Sequence, residues 1–325
     1  MKLNFEKTTF PLKEPFAITG YVFTGIDTVQ VRLEQDGVVG RGEGVGIYYT
    51  GDTADGMLSQ LESVMAEVEA GVSRERIHNL LPPGGARNAL DCAMWDLAAK
   101  NSGKSIWQLL AMTPRTLTTV CTLGIDTPER MGEAAKKLSA YPNLKIKLSG
   151  DDPIARLEVI RAARPDAALI VDVNQGWSFE ELKEYTPYAK RLGIDMIEQP
   201  LPRGGDDELE GYVSEVPLGA DEACLSFKEY ETVKNRYDVI NIKLDKCGGL
   251  TEGLEIAWQA LKDSKGLMVG NMVGSSLSMA PAYVIGQFCR FVDIDGPLFL
   301  EKDIQEGLHY NKGGRVDIPS AALWG

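Results

Sequence analysis

Five short apolar runs between Leu144 and Lys246 each end on a charged residue. They read LKIKLSG (Lys147), LIVDVN (Asp172), MIEQPL (Glu198), LGADEA (Asp221) and VINIKLDK (Lys243). Successive charges lie 25, 26, 23 and 22 residues apart (147 to 172, 172 to 198, 198 to 221, 221 to 243). A repeat of that length holds one strand, one helix and two loops, the unit of a β/α barrel. The runs are almost continuously apolar, as parallel strands buried on both faces should be. TTVCTLGI (118–125) is predicted as the first barrel strand, GLMVGNMV (266–273) as the seventh and RFVDIDGP (290–297) as the eighth. The eight starts then fall near 119, 144, 168, 195, 217, 238, 266 and 290. Pro128, after Thr127, gives a helix-start signal behind the first strand.

Upstream, residues 1 to about 43 alternate with a period of two. KLNFEKTTF, DTVQVRLEQDG and VVGRGEG are predicted as an antiparallel meander that turns at Asp36-Gly37. Two Gly- and aromatic-rich segments, EPFAITGYVFTG and GVGIYYTGDT, are expected to be loops and candidates for a lid. Glycine permits movement, and Tyr21, Phe23, Tyr48 and Tyr49 are suited to enclosing a small ligand. Residues 53–112 have helical period, with Asp52 or Thr53 as a cap. Asp91 and Asp96 are expected to serve as caps or ion pairs there, and Cys92 as core. GGRVDIPS, near the end, is a candidate strand returning to the first domain. The predicted organisation is a modified TIM-type (β/α) barrel, class α/β. Residues 1–115 form an α+β capping domain with lid loops near 17–25 and 44–53, residues 116–298 the barrel, and residues 299–325 a segment completing the cap.

Active sites of such barrels form at the C-terminal ends of the strands. Asp172, Glu198 and Asp221, on the third, fourth and fifth strands, would therefore meet at one side of the mouth. Three bare carboxylates repel one another, and a hard divalent cation relieves the conflict. Mg2+ is the expected metal, with Mn2+ possible. Lys147 and Lys243 close the second and sixth strands, which face each other across an eight-membered ring. Two opposed amines suit removal of a proton from one face of a carbon and its return on the other. From position alone, clamping a phosphate or carboxylate is an equal reading. Lys145, two residues before Lys147, points the same way and is a candidate for contacting a substrate carboxylate. Asn174 is a candidate substrate contact, and Lys246 is either functional or structural.

The chain has 325 residues, long enough for two domains. Its net charge of −13 argues against nucleic acid as a partner. Five widely spaced cysteines without a Cys-x-x-Cys point to a reducing compartment. With no apolar leader and no 18-residue apolar run, a cytoplasmic protein with no membrane contact is expected. Dinucleotide-binding, Walker, nucleophile-elbow and His-Glu-x-x-His sequences are all missing. His78 and His309 are the only histidines, and neither falls at a predicted strand end, which favours lysine chemistry with Mg2+.

KIKLSG, DVNQGW, EQPL, ADEA, NIKLDKCGG and VDIDGP together resemble the enolase superfamily in its muconate-lactonizing subgroup, and within it the dipeptide epimerases, typified by Ala-Glu epimerases. The handed-down chemistry of that superfamily is a lysine or histidine base with Mg2+. The resemblance implies a two-base proton transfer at the α-carbon of the C-terminal residue of a dipeptide, with Lys147 and Lys243 as bases and Asp172, Glu198 and Asp221 on the metal. It implies that Asp293 and Asp295 grip the free α-ammonium and that the lid reads the substrate side chain; a homo-oligomer is expected. The lid of Ala-Glu epimerases supplies an arginine for the Glu side chain. Here Tyr21 stands at about that position, which suits a neutral or apolar side chain unless Arg41 substitutes. Alternatives are an N-acylamino acid racemase, an o-succinylbenzoate synthase or a cycloisomerase of the same subgroup, or a barrel that binds a small acid without turnover.

Overall fold

The computed structural model describes residues 1–18 and 20–325; Thr19, inside the first predicted lid segment, lies outside them. The chain opens with the antiparallel sheet β1 (Lys2–Ile18), β2 (Tyr21–Gln35) and β3 (Val38–Val45). Between β2 and β3, Asp36 (φ 52°) and Gly37 (φ 82°) are both left-handed, the conformation of a type I′ hairpin turn. Helices α1 (Ala54–Glu69), α2 (Arg74–Leu80), α3 (Gly85–Ser102) and α4 (Ile106–Leu109) follow. Thr53, not Asp52, caps α1, its Oγ1 accepting from Gly56 N–H at 3.1 Å. The alternating glycines of β3 seat α3. A Cβ at Gly40, Gly42 or Gly44 would lie 2.2, 2.1 or 2.0 Å from the carbonyl oxygens of Ala93, Ala89 and Gly85. Leu3, Val29, Val31 and Leu33 of the sheet and Met57, Leu61, Ala89 and Leu90 of the helices form the core of this layer.

After β4 (Leu117–Thr118) the chain winds as β5 (Cys121–Leu123), α5 (Pro128–Lys137), β6 (Asn143–Lys147), α6 (Pro153–Ala163), β7 (Ala168–Asp172), α7 (Phe179–Arg191) and β8 (Ile194–Glu198). It continues through β9 (Leu218–Ala220), α8 (Phe227–Val233), β10 (Val239–Ile242), α9 (Leu244–Cys247), α10 (Leu250–Lys262), β11 (Gly266–Val269), α11 (Ser276–Gly286), β12 (Phe291–Val292), α12 (Gly296–Phe299) and β13 (Arg315–Val316). β5 to β12 form an eight-stranded parallel sheet in sequential order. Its first and last strands are linked by Val120 N–H donating to Val292 O at 2.9 Å and Ile294 N–H to Thr119 Oγ1 at 3.0 Å. The observed starts, 121, 143, 168, 194, 218, 239, 266 and 291, lie within two residues of those read from the sequence. Lys147, Asp172 and Glu198 are the last residues of their strands, and Asp221 and Lys243 lie one residue beyond theirs.

Two elements differ from expectation. The segment EPFAITGYVFTG is mostly the far end of the β1–β2 hairpin, not a loop. Phe16 pairs with Phe23, Ala17 with Val22 and Ile18 with Tyr21, beyond a register shift between Pro11 and Phe16. Aromatic and β-branched residues facing each other across the ladder favour that pairing. GGRVDIPS contributes β13, which pairs with β4 and not with the N-terminal sheet. The return to the cap is made by the last residues instead. Trp324 Nε1 donates to Cys92 O (3.0 Å), Gly325 N–H to Asp96 Oδ1 (2.8 Å), and the Arg41 guanidinium to the carbonyls of Ala322 and Leu323. Asp91 accepts from Thr251 N–H (2.9 Å) and Thr251 Oγ1 (2.6 Å) at the start of α10. No helix among the described residues is long and apolar enough to cross a membrane.

Candidate active site

Strand alternation sorts the barrel interior into layers. Val120, Ile170, Met196, Val239, Met268 and Phe291 make an apolar plug. Two residues further along a strand, the side chain returns to the same face. That step leads from Ile170 to Asp172, from Met196 to Glu198, from Val239 to Asn241 and on to Lys243, and from Phe291 to Asp293 and on to Asp295. Lys145 and Lys147 follow the same rule on β6. The charged mouth is therefore the next layer of the pattern that builds the core. Gly270, at the matching step on β11, leaves room for it: a Cβ there would lie 2.6 Å from Asn241 Oδ1 and 2.9 Å from Lys243 Cε.

Asp172, Glu198 and Asp221 are buried, with one oxygen of each within 4.8 Å of the others. Lysines surround them. Lys147 Nζ lies 2.6 Å from Asp172 Oδ2 and donates to Asn174 Oδ1 at 3.0 Å. Lys243 Nζ lies 2.7 Å from Asp221 Oδ2. Lys145 Nζ bridges Asp172 (3.0 Å), Glu198 Oε2 (2.9 Å) and Asp293 Oδ2 (2.8 Å). Lys246, open in role from sequence, donates to both Asp221 O and Asp221 Oδ1 at 2.6 Å. Asp293 also accepts from Asn271 Nδ2 (3.1 Å to Oδ1), and Asp295 Oδ2 from Thr122 N–H (2.9 Å). Asn174 takes the left-handed conformation (φ 46°) that asparagine tolerates. Its N–H donates to Asp172 Oδ1 (3.0 Å), and its side-chain amide spans Lys147 and Glu222.

Charge and burial set the protonation. Burial would raise the Asp172 carboxyl, but Lys147 and Lys145 outweigh it and hold it at about 2. Burial is likewise overcome at Asp221, where Lys243 and Lys246 hold the carboxyl well below its usual range. Glu198 goes the other way: burial and then the Asp172 charge push it up to about 7. Burial disfavours the Lys243 ammonium, yet Asp221 outweighs burial and keeps its pKa above the ordinary value. Burial and then Asp293 push the Asp295 carboxyl well up. Among the described residues Glu198 Oε2 has no hydrogen-bond donor, though the Lys145 ammonium lies beside it. Three crowded hard oxygen ligands, one of them resisting ionisation, fit a divalent cation such as Mg2+.

A cavity of about 460 Å³ opens above this layer. Its floor includes Lys147, Asn174 and Lys243; its walls are Phe16, Ile18, Phe23 and Ile26 of the hairpin, Val45, Gly46 and Tyr48 of the second lid segment, and Asn271, Met272 and Val273. Tyr21 is not in the lining. It is 42% exposed, and its ring packs on Tyr48 (4.4 Å between centroids) and Phe23 (6.2 Å). Among the described residues the only cationic groups in the lining are the two lysines. Arg41, committed to the C-terminal carbonyls, is not one of them.

Sequence reasoning did not single out four polar groups at the site. Asn241 donates to Glu198 Oε1 at 2.7 Å; the two-residue step back from Lys243 would have found it, as it found Lys145. Gln199 Oε1 accepts from Asp221 N–H (2.9 Å) and Ala223 N–H (3.0 Å), fixing the loop that carries Asp221. Glu222 is buried beside Asn174, and burial and then Asp221 push it up to about 8. Asn271 reaches Asp293. The last three sit on loops, where no periodic signal marks a side chain's direction.

Residues 4–111 match the N-terminal domain of the mandelate racemase / muconate lactonizing enzymes, and residues 130–322 the enolase C-terminal domain-like family. The L-Ala-D/L-Glu epimerase of Escherichia coli K12 is 38% identical over 307 residues, 94% of this chain and 96% of the relative. An N-acetyl-D-glutamate racemase of Pseudoalteromonas sp is 45% identical over 249 residues, 76% and 78% of the two chains. Among solved structures, an Agrobacterium tumefaciens enolase family member with homology to dipeptide epimerases, with bound sodium and L-Ala-L-Glu, superposes with a TM-score of 0.96 at 38% identity over 99% of both chains. The Enterococcus faecalis dipeptide epimerase, in complex with Mg and L-Leu-L-Tyr, gives 0.91 at 28% identity over 99% and 98%. Matched in both of its parts, with the acidic triad and facing lysines at the barrel mouth, the chain belongs to the mandelate racemase / muconate lactonizing enzyme family of the enolase superfamily.

Proposed function

We propose that this chain is a dipeptide epimerase, an isomerase that inverts the α-carbon of the C-terminal residue of a dipeptide by two-base proton transfer. The observation that carries the reading is the pairing of Lys147 and Lys243 with different members of one carboxylate triad, both lysines opening into one cavity. Asp172, Glu198 and Asp221 would hold Mg2+. Bound there, Mg2+ would supply a Lewis acid that stabilises the second negative charge gained by the substrate carboxylate as the α-proton leaves. Lys147 takes or returns the proton on one face of the carbon, and Lys243 on the other. Lys145, tied to both the triad and Asp293, adds positive charge beneath the carboxylate. Asp293 and Asp295 receive the substrate ammonium at the far end. The apolar walls, with no lid arginine, favour an uncharged side chain at the epimerised carbon over Glu. The five free cysteines support a reducing, cytoplasmic setting.

The test is a screen in D2O with Mg2+. L,L-Ala-Phe and Ala-Ala are expected to gain deuterium at the C-terminal α-carbon with formation of the L,D epimer, and Ala-Glu to react more slowly. A second reading draws on the Pseudoalteromonas relative, whose name is that of an N-acetylamino acid racemase. An N-acyl nitrogen offers no ammonium to Asp293 and Asp295. Label in N-acetylamino acids and in no dipeptide would establish that reading and overturn the first.

A further inference from the structure

The lid wall and the barrel are joined by two buried carboxylates that point in opposite directions. Glu43, on β3 of the cap, is fully buried. Its Oε1 accepts from Ser275 N–H at 2.8 Å, and its Oε2 from Ser275 Oγ at 2.7 Å and Gln30 Nε2 at 3.0 Å. Ser275 is the N-cap of α11, where backbone donors and the helix dipole favour an anion. Asp245, on α9 of the barrel, reaches the other way. Its Oδ1 accepts from Val45 N–H at 2.9 Å and from Asn88 Nδ2 at 2.7 Å. Packing between them is tight: a Cβ at Gly274 would lie 3.1 Å from Glu43 Oε1 and 3.2 Å from Val45 Cγ2.

We infer that Glu43 and Asp245 form a reciprocal latch that positions the substrate cavity's roof over Lys243. They are positioning residues that govern substrate binding and side-chain discrimination. This rests on the epimerase reading above. Asp245 follows Lys243 by two residues, and Val45 precedes Tyr48 by three, so one hydrogen bond fixes the height of the tyrosine over the base. Glu43 holds the opposite wall, because Met272 and Val273 lead directly into Ser275. Contacts made by these walls fall on the substrate side chain. They act alike in the ground state and the transition state, so loosening them raises KM and leaves kcat in place.

The variants are Asp245→Ala, which removes the acceptor; Asp245→Asn, which keeps a carbonyl oxygen for Val45 and Asn88; and Ser275→Ala, which removes one of the Glu43 donors. Two readouts are taken. Hydrogen exchange by mass spectrometry on substrate-free protein follows residues 44–51 and 271–276. Steady-state kinetics compare Ala-Phe with Ala-Glu. Asp245→Ala is expected to raise exchange in both segments, raise KM for Ala-Phe about tenfold with kcat within about threefold, and narrow the preference between the two dipeptides. Asp245→Asn should restore protection and KM, and Ser275→Ala should loosen 271–276 alone. Unchanged exchange in Asp245→Ala, or a loss confined to kcat at wild-type KM, overturns the latch. If wild type epimerises no dipeptide, the epimerase reading fails, and the exchange data still decide whether the two carboxylates hold the roof.

Discussion

The two lysines carry the sharpest prediction. Lys147→Ala and Lys243→Ala should each fold, each lose epimerisation, and each retain isotope exchange with a different epimer. Folding survives because neither carboxylate is stranded. Without Lys147, Asp172 keeps Lys145 at 3.0 Å; without Lys243, Asp221 keeps Lys246 at 2.6 Å. The main expected cost in each is the lost charge-assisted hydrogen bond to the carboxylate, about 1.5–3 kcal/mol, below the ~3–5 kcal/mol of an unpaired buried charge; Lys147→Ala also gives up the bond to Asn174. Both ammonium groups border the cavity, so water can enter the space left behind. Loss of a general base costs about 10²- to 10⁴-fold in rate, which is about 3–5 kcal/mol on the barrier.

The assay is proton NMR in D2O with Mg2+, starting separately from the L,L and L,D forms of a dipeptide that wild type turns over. Epimer formation and wash-out of the α-proton are followed independently. A protein with one lysine can still remove the proton from the face it commands and return deuterium to the same face. One variant should therefore wash out the L,L substrate and the other the L,D substrate, with circular dichroism unchanged in both. Two results would refute the reasoning. One is exchange of the same epimer by both variants. The other is epimerisation within about tenfold of wild type in either.

Chelation should abolish turnover and Mg2+ restore it, with thermal unfolding shifting upward on metal addition as the crowded triad gains a counter-charge; an unmoved melting curve and undiminished activity would exclude a metal at Asp172, Glu198 and Asp221. Gly249→Ala should cost roughly 2 kcal/mol or more by urea unfolding, because φ is +124° and the added Cβ would lie 2.5 Å from the Asp91 side chain. Asp245 gives a pH dependence: burial raises its carboxyl to about 7, whereas the unfolded chain releases that proton near pH 4. Between those values the folded state binds more protons, so its stability falls as pH rises. Asp245→Asn should thus match wild type near pH 4 and exceed it by up to about 4 kcal/mol at pH 8; a stability difference independent of pH would argue against a charged Asp245.

What the sequence made readable followed from periodicity. A parallel strand buried on both faces writes an apolar run, and the β/α repeat writes its spacing, so Asp172, Glu198 and Asp221 could be assigned to strand ends by counting. Lys145 emerged from the two-residue step. Asn241 obeys the same step and was overlooked because an amide does not stand out in an apolar run as a charge does. Glu222, Gln199 and Asn271 lie on loops whose course is set by tertiary hydrogen bonds. The hairpin at residues 14–25 misled for a related reason. Its glycines and aromatics resemble a loop locally, whereas its strand character comes from pairing across the ladder, Phe16 on Phe23 and Ile18 on Tyr21. Tyr21 shows the consequence: it shares a face with Phe23, two residues on, but stands at the hairpin tip with its ring packed on Phe23 and Tyr48, and it is Phe23 that lines the cavity.

These two modes of construction divide the work of the site. The reacting groups stand on parallel strands whose ladder hydrogen bonds and apolar plug leave little freedom. The substrate-facing walls stand on a hairpin end and two loops, joined to the barrel at the Glu43–Ser275 and Asp245–Val45 contacts. A change in a wall side chain can alter which substrate fits while the backbone that carries the triad and the lysines stays in place. Relatives that match this chain over most of its length carry names with different substrates, an Ala-Glu dipeptide in one and an N-acetylated amino acid in another. That spread is what a rigid chemical floor beneath an adjustable roof would produce. On the proposed function, Phe16, Phe23, Tyr48 and Met272, which line the cavity, are the positions at which a substitution should change substrate preference while the barrel beneath keeps its chemistry.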